Sequence, residues 1–252
     1  QIGFAAPLIL NMLRFLQGLS VGGEFTGSVT FLVEHAAPTE RGYIGSWAGF
    51  SAQIGALLGS GVGTVATLNL SSEALQEWGW RIPFVAGSVI ALVGWYLRRR
   101  IPESPAFEQL QRSGVVSSSP VRELFTSHRA PLLQVIGLVL LHGVGFYIFY
   151  VFLPTYLTKV TDLPMGTTLL LNTVCMALLA ILIPFMGKLS DRVGHRWVLA
   201  GGAVGLALGS IPFFSWLSNG QLVIIVTAQV LMTLFVSAYM GPFFAIVATL
   251  FP

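Results

Sequence analysis

MGTTLLLNTVCMALLAILIPFMGKLSDRVGHRWVLAGGAVGLALGSIPFFSWLS, residues 165–218, decides the fold. It holds two apolar runs, 165–187 and 196–218, around a short stretch containing Lys188, Asp191, Arg192, His195 and Arg196. Each run meets the roughly 20 residues a helix needs to cross about 30 Å of hydrocarbon. In lipid the backbone must pair internally, and the roughly 10-residue alternating segments of a membrane barrel are not seen, so the runs are helices. Working outward, charge-poor stretches recur at 5–35, 43–68, 80–98, 131–157 and 221–250, giving seven spans in all. Composition agrees: 54% of the 252 residues are hydrophobic and 9% charged, against about 25% charged in a soluble domain. The expected fold is all-α, polytopic and transmembrane.

With seven spans the loops alternate sides. One side carries Arg41, Arg98, Arg99, Arg100, Arg112, Arg122, Arg129, Lys188, Arg192 and Arg196; the other carries only Arg81 and Lys159. The basic side is cytoplasmic by the positive-inside rule, and the chain begins outside. An outside start at Gln1, with no leader, is expected of a piece of a longer protein. The polar stretch 99–130, with its run SGVVSSSP, separates three spans from four and is expected to be a cytoplasmic linker that also meets anionic headgroups. Pro83 and Pro131 fall in first turns of their helices, where the missing N–H is harmless. Pro154, Pro184 and Pro212 are expected toward helix ends, and Pro242 deeper.

Polar groups at membrane depth carry the functional expectation, because each charge there costs roughly 2.5–3.5 kcal/mol and usually faces a cavity or a partner. The first span holds Arg14, Glu24 and Glu34. On a helical wheel Gln17 and Glu24 share a face, about 20° apart, while Arg14 and Glu24 are about 15 Å apart along the axis. Neither charge can pair with the other within the helix. The fourth span offers His142, Tyr147 and Tyr150, with Gln134 near its cytoplasmic end; Gln53 and Asn172 are amides that need partners in lipid. Glycines recur at four-residue spacing at 18 and 22, 23 and 27, 45 and 49, and 55, 59 and 63. Each set leaves a strip where another backbone can approach closely, for packing or for sliding of one bundle on another.

Other classes find little support. His35, His128, His142 and His195 are scattered, no carboxylate pair or nucleophile motif appears, and the single Cys175 makes neither a disulfide framework nor a thiolate metal site. Neither an enzyme nor a metal or cofactor is expected, and the basic residues need no nucleic acid once they are seen as topological. A seven-helix receptor or sensor fits the span count, but it lacks a reason for the long basic linker.

GKLSDRVGHR at 187–196 resembles the cytoplasmic signature loop of major facilitator transporters, G-x-x-x-D-R-x-G-R-R, with His195 in place of one arginine. RFLQGLSVGGEFTG at 14–27, EHAAPTERG at 34–42, WGWRIPF at 78–84 and PESPAF at 102–107 fall in the order and on the membrane side that family uses. Together they resemble its metabolite:proton symporter branch, whose members carry proline and betaine, 2-oxoglutarate, citrate or shikimate. The resemblance implies a truncated fold, helices four to ten of twelve. It divides the chain into the last three helices of an N-terminal bundle (1–98), the linker (99–130) and the first four helices of a C-terminal bundle (131–252). It further implies a monomeric, proton-coupled carrier in the bacterial inner membrane for a small carboxylate-bearing solute, with sodium as an alternative ion and an uncoupled facilitator as an alternative mode. Arg14, Gln17, Glu24, His142, Tyr147 and Tyr239 would line its route, with Gln53 and Asn172 as further candidates. Glu34, Arg41, Glu103, Asp191, Arg192 and Arg196 would form a cytoplasmic gate.

Overall fold

The computed structural model describes residues 3, 5–100, 112, 119–161, 163–218 and 220–250. Among these it is helical, with no strand. The long helices are α1 (Ala5–His35), α2 (Arg41–Asn69) and α4 (Ile82–Arg98), with short α3 (Ser72–Glu77) between the last two and short α5 (Pro120–Thr126) following. Next, α6 (Arg129–Phe146) runs through a π-helical turn, Tyr147–Phe152, into α7 (Leu153–Val160). Three further helices complete the chain: α8 (Met165–Val193), α9 (His195–Leu217) and α10 (Leu222–Thr249).

Among the described residues five segments are long and apolar enough to cross a membrane: Gly79–Leu97, Arg129–Val160, α8, α9 and α10. The first two long helices, with 31 and 29 residues, have the length but not the hydropathy. Asn11, Arg14, Gln17 and Glu24 lower it in α1, and small residues lower it in α2. Such content suits helices that face protein or water rather than lipid alone.

Boundaries shifted in two informative places. The fifth span, expected to end at 187, is helical through Val193, and one residue, Gly194, at φ 107°, turns the chain into α9. A positive φ of this kind favours glycine. Charge ends a hydropathy run but not a helix: Lys188 and Arg192 lie in the last two turns of α8, where cations complement the helix dipole. Pro184 therefore lies inside α8, not near an end as expected. In the fourth span, Pro154 has no N–H to give the carbonyl four residues back and its ring crowds that carbonyl, which belongs to Tyr150. The π turn absorbs the conflict, as such turns do within longer helices.

The packed core is made by α2, α8, α9 and α10, with Leu179, Ile183, Phe213, Leu217, Ile225 and Tyr239 almost wholly buried. Small residues let these backbones approach, which matters in lipid, where helices associate by packing rather than by hydrophobic exclusion. A Cβ on Gly202 of α9 would lie 2.5 Å from the Tyr239 nitrogen of α10. By contrast α1 is exposed over residues 5–24 and, among the described residues, reaches α2 and α10 through its C-terminal portion.

Candidate functional site

A packed seam joins α1 and α2 to α8 and α10. Asp191, near the end of α8, aims its carboxylate at the start of α2: the Gly42 N–H donates to Oδ1 at 2.7 Å and the Tyr43 N–H to Oδ2 at 2.8 Å. These N–H groups have no partner within their own helix, and a carboxylate is the favoured ligand for the positive end of the helix dipole. Charge-assisted bonds of this length are about twice as strong as neutral ones. His195 follows one turn later, with Nε2 at 3.8 Å from Asp191 Oδ1 and Nδ1 at 3.0 Å from Ser190 Oγ.

Glycine makes this approach possible. A Cβ on Gly42 would sit 2.5 Å from Ser190 Oγ and 2.7 Å from the Gly187 carbonyl, and one on Gly187 would sit 2.5 Å from the Gly42 carbonyl. Along the same seam, a Cβ on Gly241 would meet the Gly187 nitrogen at 2.6 Å, and one on Gly49 would meet Phe244 at 2.6 Å. Phe25 of α1 closes the contact by meeting Phe244 edge to face at 5.6 Å.

Away from this seam, α6–α7, α8 and α10 enclose a polar cluster. The Tyr150 carbonyl, freed by Pro154, accepts from Asn172 Nδ2 at 3.0 Å, and the Tyr150 hydroxyl donates to Thr233 Oγ1 at 3.0 Å. Thr233 donates in turn to the Gln229 carbonyl at 2.8 Å, and Cys175 Sγ lies 3.5 Å from Gln229 Oε1. Asn172 Oδ1, Gln229 Nε2 and, on α2, Gln53 Oε1 are buried without a partner. Tyr239, buried, donates to the Leu138 carbonyl at 2.7 Å and so ties α10 to α6. His142 stacks on Phe243 at 4.6 Å and has Nδ1 buried without a partner.

The expected route residues thus separate into two groups. Arg14, Gln17 and Glu24 are exposed on α1, where Arg14 Nη1 donates to Gln17 Oε1 at 3.0 Å. His142, Asn172 and Tyr239 are held inside the α6–α10 assembly, and Gln53 is buried on α2. Tyr147 is 65% exposed, whereas Tyr150 is 5% exposed and holds the cluster together. Of the expected gate residues Asp191 is engaged. Among the described residues Glu34, Arg192 and Arg196 are exposed and make no ion pair, and Arg41 Nε is buried without a partner. Glu103 lies outside the described residues. Among the described residues no cluster of three His, Cys, Asp or Glu could hold a metal.

The sequence profile of the Major Facilitator Superfamily matches residues 2–252. The chain belongs to this superfamily. It is 32% identical over 261 residues to the glycine betaine/proline/ectoine/pipecolic acid transporter of Dickeya dadantii. It is 32% identical over 260 residues to the proline/betaine transporter of Salmonella typhimurium and 31% identical over 260 to that of Escherichia coli K12. All of this chain and 52% of each of those proteins are covered, so the chain spans about half the length of the curated relatives it matches. No solved structure matches it at comparable significance. Membership of the superfamily makes it a multi-pass membrane protein, and the relatives are named as transporters rather than enzymes.

Within a major facilitator chain two further residues belong with the candidate site. Gln229 and Thr233, four residues apart, place an amide and a hydroxyl on one face of α10. The rule that singles out Gln53 and Asn172, a polar group that needs a partner in lipid, applies to Gln229 equally and would have found it. The start of α2 as the partner of Asp191 had no such signal, because backbone N–H groups at a helix end look alike in every sequence.

Proposed function

We propose that the full-length protein is a monomeric secondary-active transporter of the bacterial inner membrane. It moves a small carboxylate-bearing metabolite or osmolyte, of the proline/betaine or organic-acid kind, by proton-coupled alternating access. Residues 1–98 belong to one bundle and 131–252 to the other, with 99–130 joining them. The observation that carries this reading is the carboxylate of Asp191 bound to two backbone N–H groups of α2. It links the two bundles through a contact that is strong in a dry seam and easily replaced by water, so it can be made and broken during a cycle.

In this reading the seam closes the cytoplasmic side, and the outer part of α1 lines the route from outside. A solute arriving from outside meets Arg14, whose planar guanidinium can hold its carboxylate by paired charge-assisted bonds, and Gln17, which already orients that arginine. Glu24, farther along α1, takes up the coupling proton. Neutralising it lowers the cost of moving the loaded site through the dry interior. Closure around the solute then releases Asp191 from α2 and opens the cytoplasmic side. The names of the relatives favour proline and betaine over organic acids as the solute.

Uptake of labelled proline, betaine, 2-oxoglutarate and citrate by the full-length protein in proteoliposomes, with and without an inward proton gradient, tests the reading. Gradient-driven uptake of one solute is expected in the wild type, with loss in Arg14→Ala and Glu24→Gln. Uptake indifferent to the gradient and to both substitutions would make those charges structural and the protein a facilitator. Dependence on a sodium gradient instead would replace the proton.

A further inference from the structure

At the end of α8 where Asp191 also lies, a cavity of about 330 Å³ is lined by Phe185, Lys188, Leu189 and Arg192. The spacing, i, i+3, i+4 and i+7, puts all four on one stripe of the helix. Phe185 is 65% exposed and Leu189 44% exposed; Lys188 and Arg192 are exposed and make no ion pair among the described residues. Lys188 Nζ lies 5.9 Å from the ring of Tyr43 in α2. Tyr43 begins an aromatic ladder on α2, meeting Trp47 at 5.9 Å, which meets Phe50 at 4.9 Å. The cavity therefore borders the seam between the two bundles.

The charge here is unbalanced. Asp191, the nearest acid in sequence, is 7% exposed and has both oxygens engaged by α2, so it does not neutralise the two cations. Topology alone accounts for basic residues at this end of a span, and the helix dipole accounts for their place in the last two turns. Neither accounts for a cavity walled by both cations and floored by two exposed apolar side chains at the boundary between hydrocarbon and headgroups. A phosphodiester bearing acyl chains has that combination of chemistry: the arginine fork and the lysine point charge suit phosphate oxygens, and the apolar side chains suit methylenes.

We propose that this cavity binds one anionic phospholipid, with its phosphate between Lys188 and Arg192 and its acyl chains along Phe185 and Leu189. The bound headgroup lies against Tyr43 and so bridges the first bundle to the second beside the Asp191 contact. This assignment concerns lipid binding alone and stands or falls independently of the transported solute.

Native mass spectrometry of the full-length protein, titrated in detergent with phosphatidylglycerol or with phosphatidylcholine, tests it. One phosphatidylglycerol is expected to be retained more tightly than further copies and more tightly than phosphatidylcholine. In Lys188→Gln/Arg192→Gln that copy is lost with about tenfold weaker retention, since each basic residue near a headgroup contributes a several-fold factor. Lys188→Arg/Arg192→Lys keeps both charges and is expected to keep the lipid. Should the double glutamine variant fail to give monodisperse protein, Arg192→Gln alone is expected to weaken retention several-fold. Equal retention by wild type and the glutamine variants would overturn the proposal. Displacement of the lipid by inorganic phosphate at equal concentration would also overturn it, assigning the cavity to a free anion.

Discussion

At one end of α2, Gly42, Gly45 and Gly49 stand where a Cβ would crowd the neighbouring helices, as Gly187 does against α2 and Gly241 against α8; along α1 and the other end of α2, Gly18, Gly22, Gly55 and Gly59 meet nothing within 4 Å among the described residues. The same four-residue spacing thus serves a close contact at Gly45 and Gly49 and none among the described residues at Gly18 and Gly22 or at Gly55 and Gly59. Small residues permit close approach without causing it. What holds the packed end is the added polar contact of Asp191 with the start of α2. Arg14 and Glu24 lie on the exposed part of α1, and the buried neutral groups Asn172, Gln229 and Thr233 lie in the packed region.

The largest expected effect comes from filling the closed contact. Gly187→Leu in the full-length protein forces a side chain against the backbone of α2, which cannot yield as a flexible side chain would. Overpacking of this kind costs typically 1–3 kcal/mol, and here about 3 kcal/mol or more is expected. A thermal melt in detergent followed by tryptophan fluorescence should show a fall of several degrees or loss of folded protein; an unchanged melt would mean that the seam is not packed as described.

Next in size is the polar cluster. Asn172→Leu removes the donor that satisfies the Tyr150 carbonyl, leaving a buried acceptor unpaired at a cost of about 1–3 kcal/mol. The same melt measures it, and Asn172→Asp/Pro154→Ala sharpens it. Alanine restores the N–H that can bond the Tyr150 carbonyl, so the double variant is expected to be more stable than Asn172→Asp alone. No gain from restoring that N–H would break the link between Pro154, the π turn and Asn172.

The smallest effect is expected at Arg196, which belongs to the signature loop but is exposed and makes no ion pair among the described residues. Arg196→Gln should change stability by less than about 0.5 kcal/mol, as exposed positions usually do. A larger loss would place Arg196 in the closed contact beside Asp191.

Much of this architecture was legible before any coordinates. Apolar runs gave the number of long helices, because lipid imposes that length on every span. The signature loop singled out Asp191. Three things were not legible. The partner helix end of Asp191 is a tertiary fact with no residue signature. The end of α8 at Val193 was hidden because hydropathy falls where charges appear, although charges of the right sign favour a helix terminus. Which of Tyr147 and Tyr150 is buried was hidden too, because the π turn changes which side chains face inward. Pro154, four residues beyond Tyr150, was the available clue to that turn.

The contact between Asp191 and α2 carries the account of the gate, and a distance across the seam tests it most directly. Spin labels at Thr39, in the turn before α2, and at Trp197, at the start of α9, occupy exposed positions on the two sides. Double electron–electron resonance on the full-length protein in nanodiscs, without solute, should give a short-distance population in wild type. Asp191→Asn, which keeps the shape but loses the charge-assisted bonds worth about 1.5–3 kcal/mol, should shift it to longer distances. Identical distributions in the two proteins would contradict the account and leave Asp191 a cap on α2 with no hold over the gate.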